Sequence, residues 1–142
     1  MDPREFLDLA SQLVTEPPKA VNLRTATNRA YYSAHHEGAE FLKKIGCTIS
    51  TGPSGHGDVW NMLQNSGDEE LTVAGSKLHD LYTSRIKADY RLEDRRAENQ
   101  TNVRGHIAQA KKIVEAIERS CSGSKRQDII NAIKRWETLT RG

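Results

Sequence analysis

"NRAYYSAHHEG", Asn28 to Gly38, is the stretch on which the reading of this chain turns. It sets an arginine, two tyrosines and two adjacent histidines among alanines, with no proline and no strand-like alternation. A helix turns about 100° per residue, so side chains seven apart point within about 20° of each other on stacked turns. Arg29 and His36 are related in this way, with Tyr32 between them and Asn28 and Glu40 flanking the same stripe. His35 falls about 120° from Arg29 and belongs to another face. The segment therefore reads as a helix with one face carrying Arg29, Tyr32 and His36.

Around it, Leu23, Ala26, Ala30, Ala34, Phe41, Leu42 and Ile45 extend the helical spacing over about Val21 to Ile45, and Gly46 is a natural stop. Upstream, Asp2, Pro3 and Glu5 form a capping pattern before an apolar stripe that includes Phe6, Ala10 and Val14, and "EPPK" ends that helix. Downstream, "GCTISTGPSGHGD" reads as a loop without the lysine of a phosphate-binding P-loop. A short helix is expected from Asp58, a longer one over about Glu69 to Asp94, and another through Val103, Ile107, Ile113 and Ile117. Ser124 and Gln127 form a second capping pattern before Ile129, Ile133 and Trp136. The expected fold is all-α, an up-and-down bundle of five or six helices forming one domain over 1–142, with its core at about 5–119 and an added amphipathic helix at 124–140.

Composition narrows the function. The chain has 142 residues and a formal charge of +2. That near balance argues against a strongly basic, non-specific nucleic-acid binder but leaves a local basic patch open. No apolar run approaches the roughly 20 residues needed to span a bilayer, and "MDPREF" does not read as a signal peptide, so no membrane association is expected. Cys47 and Cys121 are isolated, without zinc-ligand spacing, which fits a reducing, cytoplasmic setting. His36-Glu37 opens a zincin-like HExxH pattern, but residue 40 is glutamate. The second histidine is missing, so neither a metal nor another cofactor is expected.

The stripe has two readings. Arginine forks donors onto phosphate and histidine moves protons near neutrality, a pairing suited to attack of an RNA 2′-hydroxyl on its own phosphodiester. Buried polar side chains also lock helix register through hydrogen bonds. Elsewhere, Arg85 and Asp89 are spaced for an intrahelical ion pair, and Asp89 is placed to orient Arg29 or His36 from a neighbouring helix. His56 is expected in the loop, as a plain loop residue or as a contact for substrate phosphate at a helix N-terminus. His79 and His106 read as surface or packing residues. The charged stretch from Tyr90 to Arg104 reads as a solvated face or, with its arginines clustered on one side, as a source of phosphate contacts, and the last helix as docking on its own bundle or on a partner.

"NRAYYSAHHEGAEFLKKIG" resembles the signature helix of HEPN domains, closest to small bacterial and archaeal members with an R-A-Y-Y-x-x-x-H helix. "LHDLYTSRIKADY" is similar to their later R-x-x-A-D-Y pattern, here Arg85, Ala88, Asp89 and Tyr90, and "GHGDVW" resembles the histidine-containing loop between them. The resemblance spans about Glu5 to Arg119. It implies an α-helical bundle, commonly a homodimer with paired motifs lining one cleft. It also implies a metal-independent ribonuclease of a toxin–antitoxin or other defence system, cleaving RNA with a nucleotidyltransferase-like antitoxin as partner. Arg29 and His36, with six residues between them, match the R-x(4–6)-H motif and are the expected catalytic pair. Tyr32, Asn28, Asp89 and Arg85 are the expected supporting residues, and His56 a substrate-binding one. The alternative is a non-catalytic HEPN subunit that pairs with a nucleotidyltransferase-like protein or binds nucleotide.

Overall fold

A computed structural model describes residues 1–141. Six α-helices follow one another: α1 (Arg4–Leu13), α2 (Ala20–Lys44), α3 (Ser54–Gln64), α4 (Glu69–Tyr90), α5 (Gln100–Ser122) and α6 (Arg126–Arg141). A 3₁₀ turn, Arg95–Glu98, joins α4 to α5, and no strand occurs among the described residues. The all-α bundle is as the periodicity implies. No helix of the described residues is long and apolar enough to cross a membrane.

α2 is the central helix, packing on α1, α3, α4 and α5. Its alanines explain this. Ala26, Ala30 and Ala34 are fully buried, and their small side chains let neighbouring helices approach closely. Leu23, Tyr31 and Leu42 extend from the same helix into a core completed by Met62, Leu78, Leu81, Ile113 and Ile117. The approach of α3 to α4 is closer still. A Cβ on Gly75 would stand 2.8 Å from the Trp60 carbonyl oxygen, a backbone atom that cannot swing away.

Several expected boundaries move. α3 begins at Ser54 rather than Asp58, so His56 lies on its first turn and not in a loop. Pro53 has helical φ and ψ and enters the turn without needing an N–H donor. The glycine two residues on reflects crowding, because a Cβ on Gly55 would stand 2.2 Å from the Ser50 carbonyl oxygen. α4 ends at Tyr90 rather than Asp94, and the reason lies on α2. The buried Arg24 guanidinium donates to the carbonyls of Lys87, Ala88, Arg91, Leu92 and Asp94 at 3.0–3.3 Å and pairs with Glu98 at 2.7 Å. The chain leaves the helix to aim these carbonyls at one cation, so Glu98 is a structural partner in a stretch expected to be a solvated face or a source of phosphate contacts. At α1, Glu5 accepts from the Asp2 N–H as expected, while the Asp2 carboxylate takes the Arg4 N–H.

α6 docks on its own bundle. Ile129 and Ile133 are buried, and the helix packs on α3 and α5. Its polar side chains brace the α2–α3 connection: Lys134 donates to Ile45 O at 2.9 Å, Glu137 accepts from Thr48 N at 2.9 Å, and Arg141 pairs with Asp58 at 2.8 Å. α6 thereby helps fix the entry of α3, which carries His56. Gln127 donates to Asn131 rather than completing a box with Ser124.

Arg24→Met keeps the stem volume but leaves five carbonyls and Glu98 without their donor. We expect a loss of about 3–5 kcal/mol, as for removing one partner of a buried ion pair, seen as a lower urea midpoint with unchanged slope. A loss below about 1 kcal/mol would show that the clamp is dispensable.

Candidate functional site

α2 and α4 run antiparallel, and their contacts step down both helices in register. Asn28 Nδ2 donates to Asp89 Oδ2 at 2.8 Å, and one turn further Arg85 Nη1 donates to the Tyr32 hydroxyl at 3.3 Å. Arg85 also reaches Asp89 at 3.4 Å. Arg29 donates from Nε to Asn28 Oδ1 at 2.8 Å, and its Nη2 shares that acceptor. The structure therefore joins Arg29, Asn28, Asp89, Arg85 and Tyr32 in one network. Asp89 reaches Arg29 only through the Asn28 amide, whereas it meets Arg85 directly.

Aromatic rings complete the arrangement. The Arg29 guanidinium lies 4.8 Å from the Phe6 ring centre and 5.5 Å from that of Tyr32. His36 stacks on the same two rings, at 6.0 Å from Phe6 and 5.7 Å from Tyr32. Thus α1 contributes a ring that supports both members of the Arg29/His36 pair, and His36 remains exposed to solvent. Arg85 is 7% exposed and lies 5.3–5.6 Å from the rings of Tyr31, Tyr32 and Tyr82. The faces of three tyrosines and the Asp89 carboxylate offset part of the cost of burying this charge. Its Nε has no hydrogen-bond partner.

The pair at Arg85 and Asp89 is consequently a buried tie to α2, more than an exposed intrahelical bridge. His56 joins the cluster through Tyr31, its Nδ1 lying 2.6 Å from the hydroxyl. His35, assigned from the helical wheel to a separate face, belongs to the same cluster, with its ring 4.9 Å from His56 and 5.3 Å from His36. Its turn away from Arg29 points it at Tyr31, four residues back, and at α3. His79 stacks on Trp60 at 4.4 Å while staying exposed at the surface, and the half-buried His106 packs against the Thr27 hydroxyl at 3.0 Å.

The cluster's histidines are held toward neutrality. Burial lowers the His35 pKa to about 3, helped by the neighbouring His56, His36, Lys43 and Arg85. Burial also lowers His36, against the opposing pull of Glu40, with Lys43 and Arg29 adding to the downward shift. His56 is lowered by burial and then by Arg85 and His36. Tyr31 is fully buried, and burial pushes its phenol far up, so it keeps its proton.

Tyr31, Tyr82, His35 and Phe6 were not among the expected site residues. Only the spacing of Tyr31 and His35, four apart on one helix, was a signal available in the sequence. Among the described residues, no group of three or more His, Cys, Asp or Glu side chains converges as a metal-ligand set. The cluster runs from the buried Tyr31 and Arg85 out to the exposed His36. A groove of about 700 Å³ lies elsewhere, between α4 and α5, lined by Glu70, Val73, Lys77, Lys112 and Arg119. There Arg119 and Glu70 pair with each other, so this groove and the aromatic–histidine cluster do not coincide. No family model, curated protein or solved structure matches the chain.

His35 makes stability depend on pH. The unfolded chain protonates this histidine below about pH 6.5, whereas the folded chain resists protonation down to about 3. Between those values the unfolded state binds more protons, so stability is fullest above pH 6.5 and falls as the pH drops. The slope for this proton is at most about 1.4 kcal/mol per pH unit. Melting curves at pH 7.5 to 4.5 should show this decline, and His35→Asn should flatten it. Equal slopes for both proteins would contradict the assignment.

Proposed function

We propose that this chain is a HEPN-type, metal-independent ribonuclease, a cytoplasmic toxin or defence component that cleaves RNA through Arg29 and His36. The observation that carries the reading is the pairing of an oriented cation with an exposed histidine on shared aromatic supports. Arg29 is held by Asn28 and two rings, and His36 lies on the same rings. The segments that resemble HEPN signatures also meet in space. Tyr31 and Tyr32 come from the first, His56 from the second, and Tyr82 and Arg85 from the third.

In this reading Arg29 holds a phosphodiester and stabilises the charge that develops as the 2′-oxygen attacks phosphorus. His36 transfers a proton as general acid or base. The 5′-oxygen leaves, giving a 2′,3′-cyclic phosphate and a free 5′-hydroxyl. Tyr32, Asn28, Asp89 and Arg85 orient the pair and add no bond-making step. The exposed edge of the cluster at His36 suits a homodimer, in which a second copy would supply the other wall of the cleft.

The rival reading is a non-catalytic subunit that binds nucleotide or a nucleotidyltransferase-like antitoxin. It is favoured by the Asn28–Asp89–Arg85 network, which is equally suited to locking the register of two helices.

Purified protein incubated in EDTA with varied single-stranded RNAs should produce fragments ending in 2′,3′-cyclic phosphate. Arg29→Ala and His36→Ala should each lower the rate by about 10²–10⁴-fold while His36→Ala keeps its melting temperature. Intact RNA with the wild type, or undiminished cleavage by both variants, would overturn the ribonuclease reading in favour of its rival.

A further inference from the structure

His36 alone leaves half of the proton transfer unassigned, because attack must remove a proton from the 2′-hydroxyl and departure must return one to the 5′-oxygen. A second histidine stands across the same ring. Tyr32 lies 5.7 Å from His36, 6.1 Å from His56 and 5.5 Å from the Arg29 guanidinium, centre to centre for the rings. His56 is half-buried on the first turn of α3, so it faces this ring from a different helix.

The hydrogen bonds behind His56 decide which of its nitrogens carries the proton. Tyr31 Oη lies 2.6 Å from His56 Nδ1 and 3.5 Å from His35 Nδ1. A phenol that keeps its proton donates once and accepts otherwise. Tyr31 can donate to His56, which leaves the proton of His56 on Nε2 and gives substrate no lone pair. It can instead accept from His56 Nδ1–H and donate to His35 Nδ1, which leaves His56 Nε2 bare. Only the second arrangement survives protonation of His56, because an imidazolium donates from both nitrogens while Tyr31 still accepts. His35 is half-buried and held neutral, so it can accept the Tyr31 hydrogen bond throughout.

We propose that His56 is the general base of the Arg29/His36 site, its Nε2 left bare by the His56–Tyr31–His35 chain, and that His36 is the general acid. The proposal rests on the ribonuclease reading and adds a second catalytic residue to it. His56 Nε2 takes the proton of the 2′-hydroxyl as the 2′-oxygen–phosphorus bond forms. The phosphorus–5′-oxygen bond breaks, and the His36 imidazolium gives its proton to the departing oxygen. Solvent then returns both histidines to their starting states. Arg85 beside His56 favours the neutral form that a base needs, while at His36 Glu40 opposes the lowering by burial, Lys43 and Arg29. Tyr31 is a positioning residue, since it acts through His56.

The test uses an RNA that the wild type cuts and the same RNA with sulfur replacing the 5′-bridging oxygen at the cut bond. A thiolate leaves without needing an acid. His56→Asn keeps a donor toward Tyr31 but has no base, so it should fall about 100-fold or more on both substrates with little change in melting temperature. His36→Ala should fall comparably on the oxygen substrate and recover to within about tenfold of wild type on the sulfur one. Undiminished cleavage by His56→Asn, or its recovery on the sulfur substrate, would overturn the base assignment while leaving the ribonuclease reading intact. Nitrogen-15 NMR of the histidine rings supplies a readout independent of cleavage. It should find His56 protonated at Nδ1 in the wild type and should find that preference lost in Tyr31→Phe. A proton on Nε2 instead would overturn the proposal even where RNA is cut. A wild type that cuts no RNA would remove the ribonuclease reading and the base role together.

Discussion

One guanidinium sets the register on which the cluster depends. Arg24 sits near the start of the central helix and gathers five carbonyls from the end of α4 and the turn beyond it. Buried carbonyls need donors, and Glu98 neutralises the charge that supplies them. With Arg24 fixed to the end of α4, the antiparallel helices can meet only in step. Asn28 then meets Asp89 one turn on, and Tyr32 meets Arg85 one turn further. A shift of either helix by one residue would turn these side chains through about 100° and part all of them.

The cluster that results is unusual for the amount of ionisable chemistry placed on the bundle's own packing. Arg85 keeps its charge inside the protein against a carboxylate and three ring faces. That buried cation in turn favours neutral histidines beside it, as at His56. The neutrality has two consequences. It leaves imidazole nitrogens available to accept protons, and it sets acid sensitivity into the fold through His35. The same burial that stabilises the bundle thus tunes the groups proposed to act on RNA.

The sequence made much of this legible, for physical reasons that differ by residue. Helix positions followed from apolar spacing, and the Arg29–Tyr32–His36 stripe followed from geometry within one helix. The start of α3 was misplaced because glycines around His56 resemble a loop, whereas Gly55 answers a steric demand from the Ser50 carbonyl. The end of α4 was misplaced because its stop signal, Arg24, lies some 67 residues earlier than Arg91 in the chain. His35 was set apart because a helical wheel counts angles on one cylinder and ignores what a second helix brings to each face.

By itself, then, the sequence determined the all-α class, the apolar faces and the joint presentation of Arg29 and His36, because each rests on spacing within a single helix. Tertiary structure alone decided that Phe6 supports both of them, that Tyr31 links His35 to His56, and that Asp89 reaches Arg29 through Asn28. Those contacts cross between helices. Their register depends on buried carbonyls, close glycine contacts and side-chain volumes acting together, and no local pattern contains that sum.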